Sequence, residues 1–190
     1  MIALDRPGFA DPVAEAQQCF RAVLDAMARP GTIHDVGLLD PPPPLCPAAA
    51  AVLLTVVDHE TPLWLGPFAE AARGWIAFHA GAGFAAPDQA AFLLARELPD
   101  LATLRQGTDE GPEESATVIL QLAGLGSGAR FRLSGPGLRA PTGFAADGLP
   151  ADFVARWAAN RARFPLGVDL ILCAGTRLAA LPRTVMMEAL

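Results

Sequence analysis

Apolar positions near the start of the chain fall at helical spacing. Within residues 20–31, FRAVLDAMARPG, Phe20, Val23, Leu24 and Met27 form one stripe, while Arg21, Asp25 and Arg29 occupy the other face. Asp11 followed by Pro12 supplies an N-cap and a first helical residue, and Pro30-Gly31 supplies the stop. An extended segment, 32–36, follows. Pro47 opens a second helix, 48 to about 57, that is apolar nearly all round and is therefore expected between layers. Residues 62–65 and 75–79 read as short strands separated by a helical turn near 68–72. Residues 90–95 make an apolar run of strand length, and 98–106 a short helix ended by Gly107.

Period-two alternation predicts an antiparallel pair, 116–123 with 129–134, joined by the glycine-rich turn 124–128. Val118, Leu120 and Leu122 share one face of the first strand; Phe131 and Leu133 alternate with Arg130 and Arg132 on the second. Residues 149–164 read as a helix with Phe153, Trp157 and Phe164 on its apolar side, ended by Pro165. An apolar run at 168–173 reads as a central strand, with a turn at Gly175-Thr176. Strands interspersed with helices indicate a three-layer α/β architecture with a mixed sheet, in one domain over 1–190. The proline tract 41–44 and the Ala/Gly-rich stretch 80–86 read as surface connections.

Composition narrows the function classes. A chain of 190 residues can bury roughly 70% of its extended surface, and 52% hydrophobic content is that of a globular protein. A net charge of -6, with no basic-aromatic stretch, speaks against nucleic acid as a partner. Cys19, Cys46 and Cys173 are odd in number and far apart, which signals neither a disulfide framework nor a zinc site and fits a reducing cytoplasm. Residues 1–9 show no leader pattern, and the longest apolar run falls short of the ~20 residues of a membrane span. All positive side-chain charge apart from histidine is arginine. Without lysine there is neither a pyridoxal phosphate Schiff base nor a Walker-type phosphate lysine.

Candidate chemistry is sparse. The segment 135–140, GPGLRA, matches G-x-G-x-x-A after a strand, but Pro141, Thr142 and Gly143 replace the required helix, so a structural turn is expected. Asp58, His59 and Glu60, with His79, lack metal-ligand spacing; Asp58 is expected to turn the chain after the second helix, and His79 to be hydrogen-bonded at a strand end. Arg29, Arg156, Arg161, Arg163 and Arg183 are phosphate-binding candidates. Arg29 and Arg183 lead because adjoining prolines restrict their backbone. No nucleophile and base stand at a recognisable spacing, so no catalytic residue is assigned.

Several stretches carry a family likeness: 20–31; 54–65, with Asp58, Thr61, Pro62, Leu63 and Trp64; Phe78-His79; 112–138; and 164–172 with Pro182-Arg183-Thr184. Together they resemble the PhnH family of the bacterial carbon–phosphorus lyase system, which degrades phosphonates. The resemblance implies a reduced relative of the pyridoxal-phosphate transferase fold, without the cofactor. It also implies a homodimer when isolated, and an assembly with PhnG, PhnI and PhnJ that displaces adenine from ATP with an alkylphosphonate. In that setting the chain is expected to be mainly structural, with Arg29, Asp58, His79 and Arg183 as the residues to watch for contact with ATP or alkylphosphonate. The alternative is a self-contained dimeric protein that takes phosphorylated small molecules in an arginine-lined pocket.

Overall fold

The computed structural model describes residues 6–37 and 39–190. The chain runs through α1 (Pro12–Ala28), β1 (His34–Asp35), α2 (Pro47–Val56), β2 (Leu63–Leu65), α3 (Arg73–Ala80), β3 (Phe92–Ala95) and β4 (Thr117–Gln121). It continues through β5 (Gly124–Ser134), β6 (Thr142–Asp147), α4 (Phe153–Arg161), β7 (Asp169–Ala174), β8 (Arg177–Leu181) and β9 (Met186–Ala189). A six-stranded sheet has the order β1-β8-β7-β4-β3-β2, and a three-stranded sheet the order β6-β5-β9. In the larger sheet β2, β3, β4 and β7 are parallel; β8 runs antiparallel to β7, and β1 to β8. The protein is thus α/β with a mixed sheet. The leader reading lies, for residues 1–5, outside the described residues. Among the described residues no helix is long and apolar enough to cross a membrane.

Strand side chains alternate between the faces of the large sheet, so its apolar runs feed two separate cores. Leu94, Ile119, Ile171, Cys173 and Leu178 point into a core closed by α1, α2 and α3. Leu93, Val118, Leu120, Leu170 and Leu172 point into a second core, closed by α4, the small sheet and the segment between β3 and β4. The all-apolar α2 accordingly has Ala48 to Leu53 fully buried. Asp11 caps α1 as expected, its carboxylate accepting from the Ala14 N–H at 3.1 Å.

Several expectations are corrected. The core face of α1 is Cys19, Val23 and Ala26, while Phe20 and Leu24 are 47% and 52% exposed. Small side chains meet the alanines of α2 there, and the larger ones turn outward. Residues 75–79 are helical, not a strand: Trp75 and Ile76 are buried, and Gly81 ends the helix with φ +67°. The predicted hairpin does not form. β4 lies between β3 and β7, with both faces buried, and β5 pairs with β6 and β9 instead. The glycines at 124–128 belong to β5 and hold a register shift between Leu125 and Ala129. Phe131 and Leu133 are nevertheless buried, and Arg130 and Arg132 exposed, as the alternation required.

The helix at 98–106 shrinks to one turn, Leu101–Thr103, and α4 ends at Arg161, leaving Phe164 63% exposed beyond it. Neither presumed surface connection is merely that. Pro41 and Pro42 are buried, and the Pro44 carbonyl accepts from Gln121 Nε2 at 2.9 Å. In the 80–86 stretch, Phe84 bridges to Leu63 and covers the edge of β2. The GPGLRA segment is the turn between β5 and β6. A Cβ on Gly137, at φ +83°, would lie 2.2 Å from the Ala28 carbonyl oxygen, so glycine lets this turn close onto the end of α1.

Two buried polar side chains fasten α4. Trp157 Nε1 donates to the Val185 carbonyl at 2.9 Å. Asn160 Nδ2 donates to the Val168 carbonyl, and its Oδ1 accepts from the Val168 N–H, both at 2.9 Å. Asn160→Ala orphans both backbone groups and is expected to cost about 2–4 kcal/mol. A lower urea midpoint at unchanged m-value is the measurement that checks it.

Candidate functional site

Arg183 follows β8 and is drawn inward. Its backbone N–H and Nε donate to Asp169 Oδ1 at 2.7 and 3.1 Å. Nη2 donates to Asp169 Oδ2 at 2.6 Å and to Ser115 Oγ, and Nη1 to the Pro112 and Pro165 carbonyls at 2.9 and 3.3 Å. All five guanidinium hydrogens therefore have protein acceptors. The cluster ties the start of β7 to the entry of β4, and a phosphate would have to displace Asp169.

The other three sequence candidates stand apart from it and from one another. Arg29, at the C-terminal end of α1, pairs with Asp25, whose second oxygen lies 3.0 Å from His34 Nε2. Asp58 Oδ1 accepts from the Glu60 and Thr61 N–H groups at 2.9 and 3.0 Å and from the Thr61 hydroxyl at 2.9 Å. This is the turn expected after α2, and His59 and Glu60 lie exposed beside it. His79 sits in the last turn of α3 rather than at a strand end. Its Nε2 lies 3.2 Å from the Arg6 carbonyl, which also accepts from Trp75 Nε1 at 2.9 Å. Arg156 and Arg163 line a hollow of about 200 Å3 with Asp100 and Asn160, and Arg156 is paired with Asp152 at 2.8 Å.

A better-formed site lies where sequence reasoning placed none. From the carboxyl end of β2 the chain crosses to the first face, through a 3-10 turn, Pro67–Ala72, and α3. From the carboxyl end of β3 it crosses to the second face, burying Leu98, Leu101 and Leu104. These connections part at the carboxyl ends of the two strands, the end of an open α/β sheet at which ligands bind. A cleft of about 400 Å3 opens there, lined among others by Trp64, Gly66, Phe68, Arg96, Glu97 and Pro99. The Arg96 guanidinium lies over the Phe68 ring, 4.8 Å from its centroid. Among the described residues Arg96 makes no ion pair or hydrogen bond. The signal that could have found this site is Arg96 itself, the first charge after the apolar run 90–95.

Two outcomes follow for the sequence candidates. Arg183→Met leaves the Asp169 carboxylate without its cation and is expected to cost about 3 kcal/mol in urea unfolding, whereas a group serving only a ligand would leave stability unchanged. The Asp58 carboxyl is held below its ordinary value of 3.8, chiefly by the Glu60 N–H and then by the Thr61 hydroxyl. Its contribution to stability is complete above that value and is lost as pH falls below it. Asp58→Asn is therefore expected to flatten the acid limb of a stability-against-pH curve.

Comparison with known proteins places the whole chain. The family model for "Bacterial phosphonate metabolism protein (PhnH)" matches residues 7–188. Alpha-D-ribose 1-methylphosphonate 5-triphosphate synthase subunit PhnH of Rhizobium meliloti (strain 1021) is 42% identical over 187 residues, which cover 95% of this chain and 94% of that one. HtxG of Stutzerimonas stutzeri, provisionally named a C-P lyase subunit, is 34% identical over 171 residues, 88% of this chain and 83% of its own. With a match over nearly every residue from α1 to β9, this chain belongs to the PhnH family.

Proposed function

We propose that this chain is the PhnH-type subunit of a carbon–phosphorus lyase assembly in the cytoplasm and acts there mainly as a structural component. The carrying observation is the 42% identity, over 95% of the chain, to a protein named as a subunit of alpha-D-ribose 1-methylphosphonate 5-triphosphate synthase. In this proposal the partners are PhnG-, PhnI- and PhnJ-like subunits, the isolated chain is a homodimer, and the assembly exchanges the adenine of ATP for an alkylphosphonate. The chain would form one domain, of the reduced pyridoxal-phosphate-transferase type without the cofactor.

Two features support the structural role. The guanidinium of Arg183 is spent on the fold, Asp58 on a turn, and His79 on a contact with the Arg6 carbonyl. The outer side of α1 leaves Val13, Phe20 and Leu24 exposed, as a surface destined for burial against a neighbour would. Arg29, with 63% of its side chain exposed, is the sequence candidate best placed to reach a partner or a phosphorylated ligand.

Native mass spectrometry of the chain co-expressed with its PhnG-, PhnI- and PhnJ-like partners tests the proposal. A stoichiometric complex containing this chain is expected, and Phe20→Asp with Leu24→Asp is expected to weaken either that complex or the homodimer. Folded partners that assemble with one another but never with this chain would overturn it.

A further inference from the structure

We propose that the cleft at the carboxyl ends of β2 and β3 binds a small organic anion that carries a flat ring. The proposal is independent of the assembly role, because every group it uses belongs to this chain.

Three observations converge on that chemistry. The cleft stands where the connections of two adjacent parallel strands leave on opposite faces, and its volume of about 400 Å3 suits a ligand of one or two rings. Its walls offer Trp64, Phe68, Leu98 and Pro99, apolar surfaces against which a flat ring packs without needing directed bonds. Arg96 supplies the charge. Its guanidinium lies over the Phe68 ring and its N–H groups have no protein acceptor among the described residues, which leaves them to take an acid group in a paired fashion.

Glu97 refines the class. Glu97 lines the same cleft and, among the described residues, makes no ion pair with Arg96, so the cleft carries an acceptor as well as a donor. A dianion with no donor of its own gains less here than a ligand with both an acid group and an N–H or O–H donor. An amino-substituted ring bearing a phosphate or a carboxylate meets each of these demands.

The cleft contains its own reporter. Trp75 and Trp157 are fully buried, whereas Trp64 is part-exposed at the cleft wall, so a ligand there perturbs the fluorescence of Trp64 alone. The purified full chain is titrated with adenosine 5′-monophosphate and with 4-aminobenzoate, and with adenosine and inorganic phosphate as the separated halves. Fluorescence and calorimetry are both recorded at low salt. Saturable binding of at least one ring-bearing acid is expected, with either half alone weaker by about tenfold or more, the worth of one charge-assisted hydrogen bond. The better of the two acids tells whether phosphate or carboxylate is the preferred group.

Arg96→Gln is expected to weaken binding by about tenfold while lowering the thermal midpoint by no more than about 3 °C, because the exposed side chain gives up a contact with the Phe68 ring but no hydrogen bond among the described residues. Trp64→Phe is expected to abolish the fluorescence change while calorimetry still reports binding. Absence of saturable binding by either acid at millimolar concentration overturns the proposal. So does binding that Arg96→Gln leaves untouched.

Discussion

Burial of the large sheet on both faces is the constraint from which the rest of this structure follows. The middle positions of β4 and β7, Val118 to Leu120 beside Leu170 to Leu172, are apolar on both faces, so neither strand can be left at a surface. One face needs a cover of helices, and α1, α2 and α3 provide it. The other needs a second cover, and a three-stranded sheet joins α4 to provide it. That requirement explains why so long a segment, β5 through α4, separates two strands that lie side by side.

The clamp around Arg183 is the polar counterpart of this arrangement. Where β4 and β7 begin, their amino ends converge with the segment after β8, and carbonyls from separate loops are left facing inward. One guanidinium with five donors satisfies that convergence, whereas an ammonium, with three donors and no fixed fork, would leave part of it unmet. The charge that looked like a ligand group is absorbed by architecture. The opposite holds at the carboxyl ends of β2 and β3, where the connections diverge and Arg96 lies over a phenyl ring and, among the described residues, makes no ion pair or hydrogen bond.

Much of this was legible in the order of residues, and the failures have identifiable causes. The cap at Asp11, the buried helix after Pro47, the strand at 168–173 and the turn at Gly175 all follow from local chemistry. The mistaken hairpin came from treating a glycine-rich connector as a tight turn. The clue against it was the unbroken apolar run Val118-Ile119-Leu120, which asks for partners on both faces. Residues 75–79, rich in aromatic and branched side chains, carry strand propensity, but packing of Trp75 and Ile76 against α2 outweighs it. Which half of a wide apolar arc on α1 faces inward depends on the size of the side chains opposite, and that is a tertiary fact. The cleft escaped notice for the same reason, since its walls come from two strands brought together only by the sheet.

The three cysteines offer a last consequence. Cys19 on α1, Cys46 just before α2 and Cys173 on β7 all belong to or border the helix-covered core. Burial raises all three thiols, Cys173 most strongly, but Cys46 is only half-buried, so it is Cys19 and Cys173 that are shut away from alkylating reagents while the helices remain in place. Labelling of Cys19 and Cys173 in the native protein is thus a clock for the lifting of one layer, and it stays silent while the opposite layer breathes.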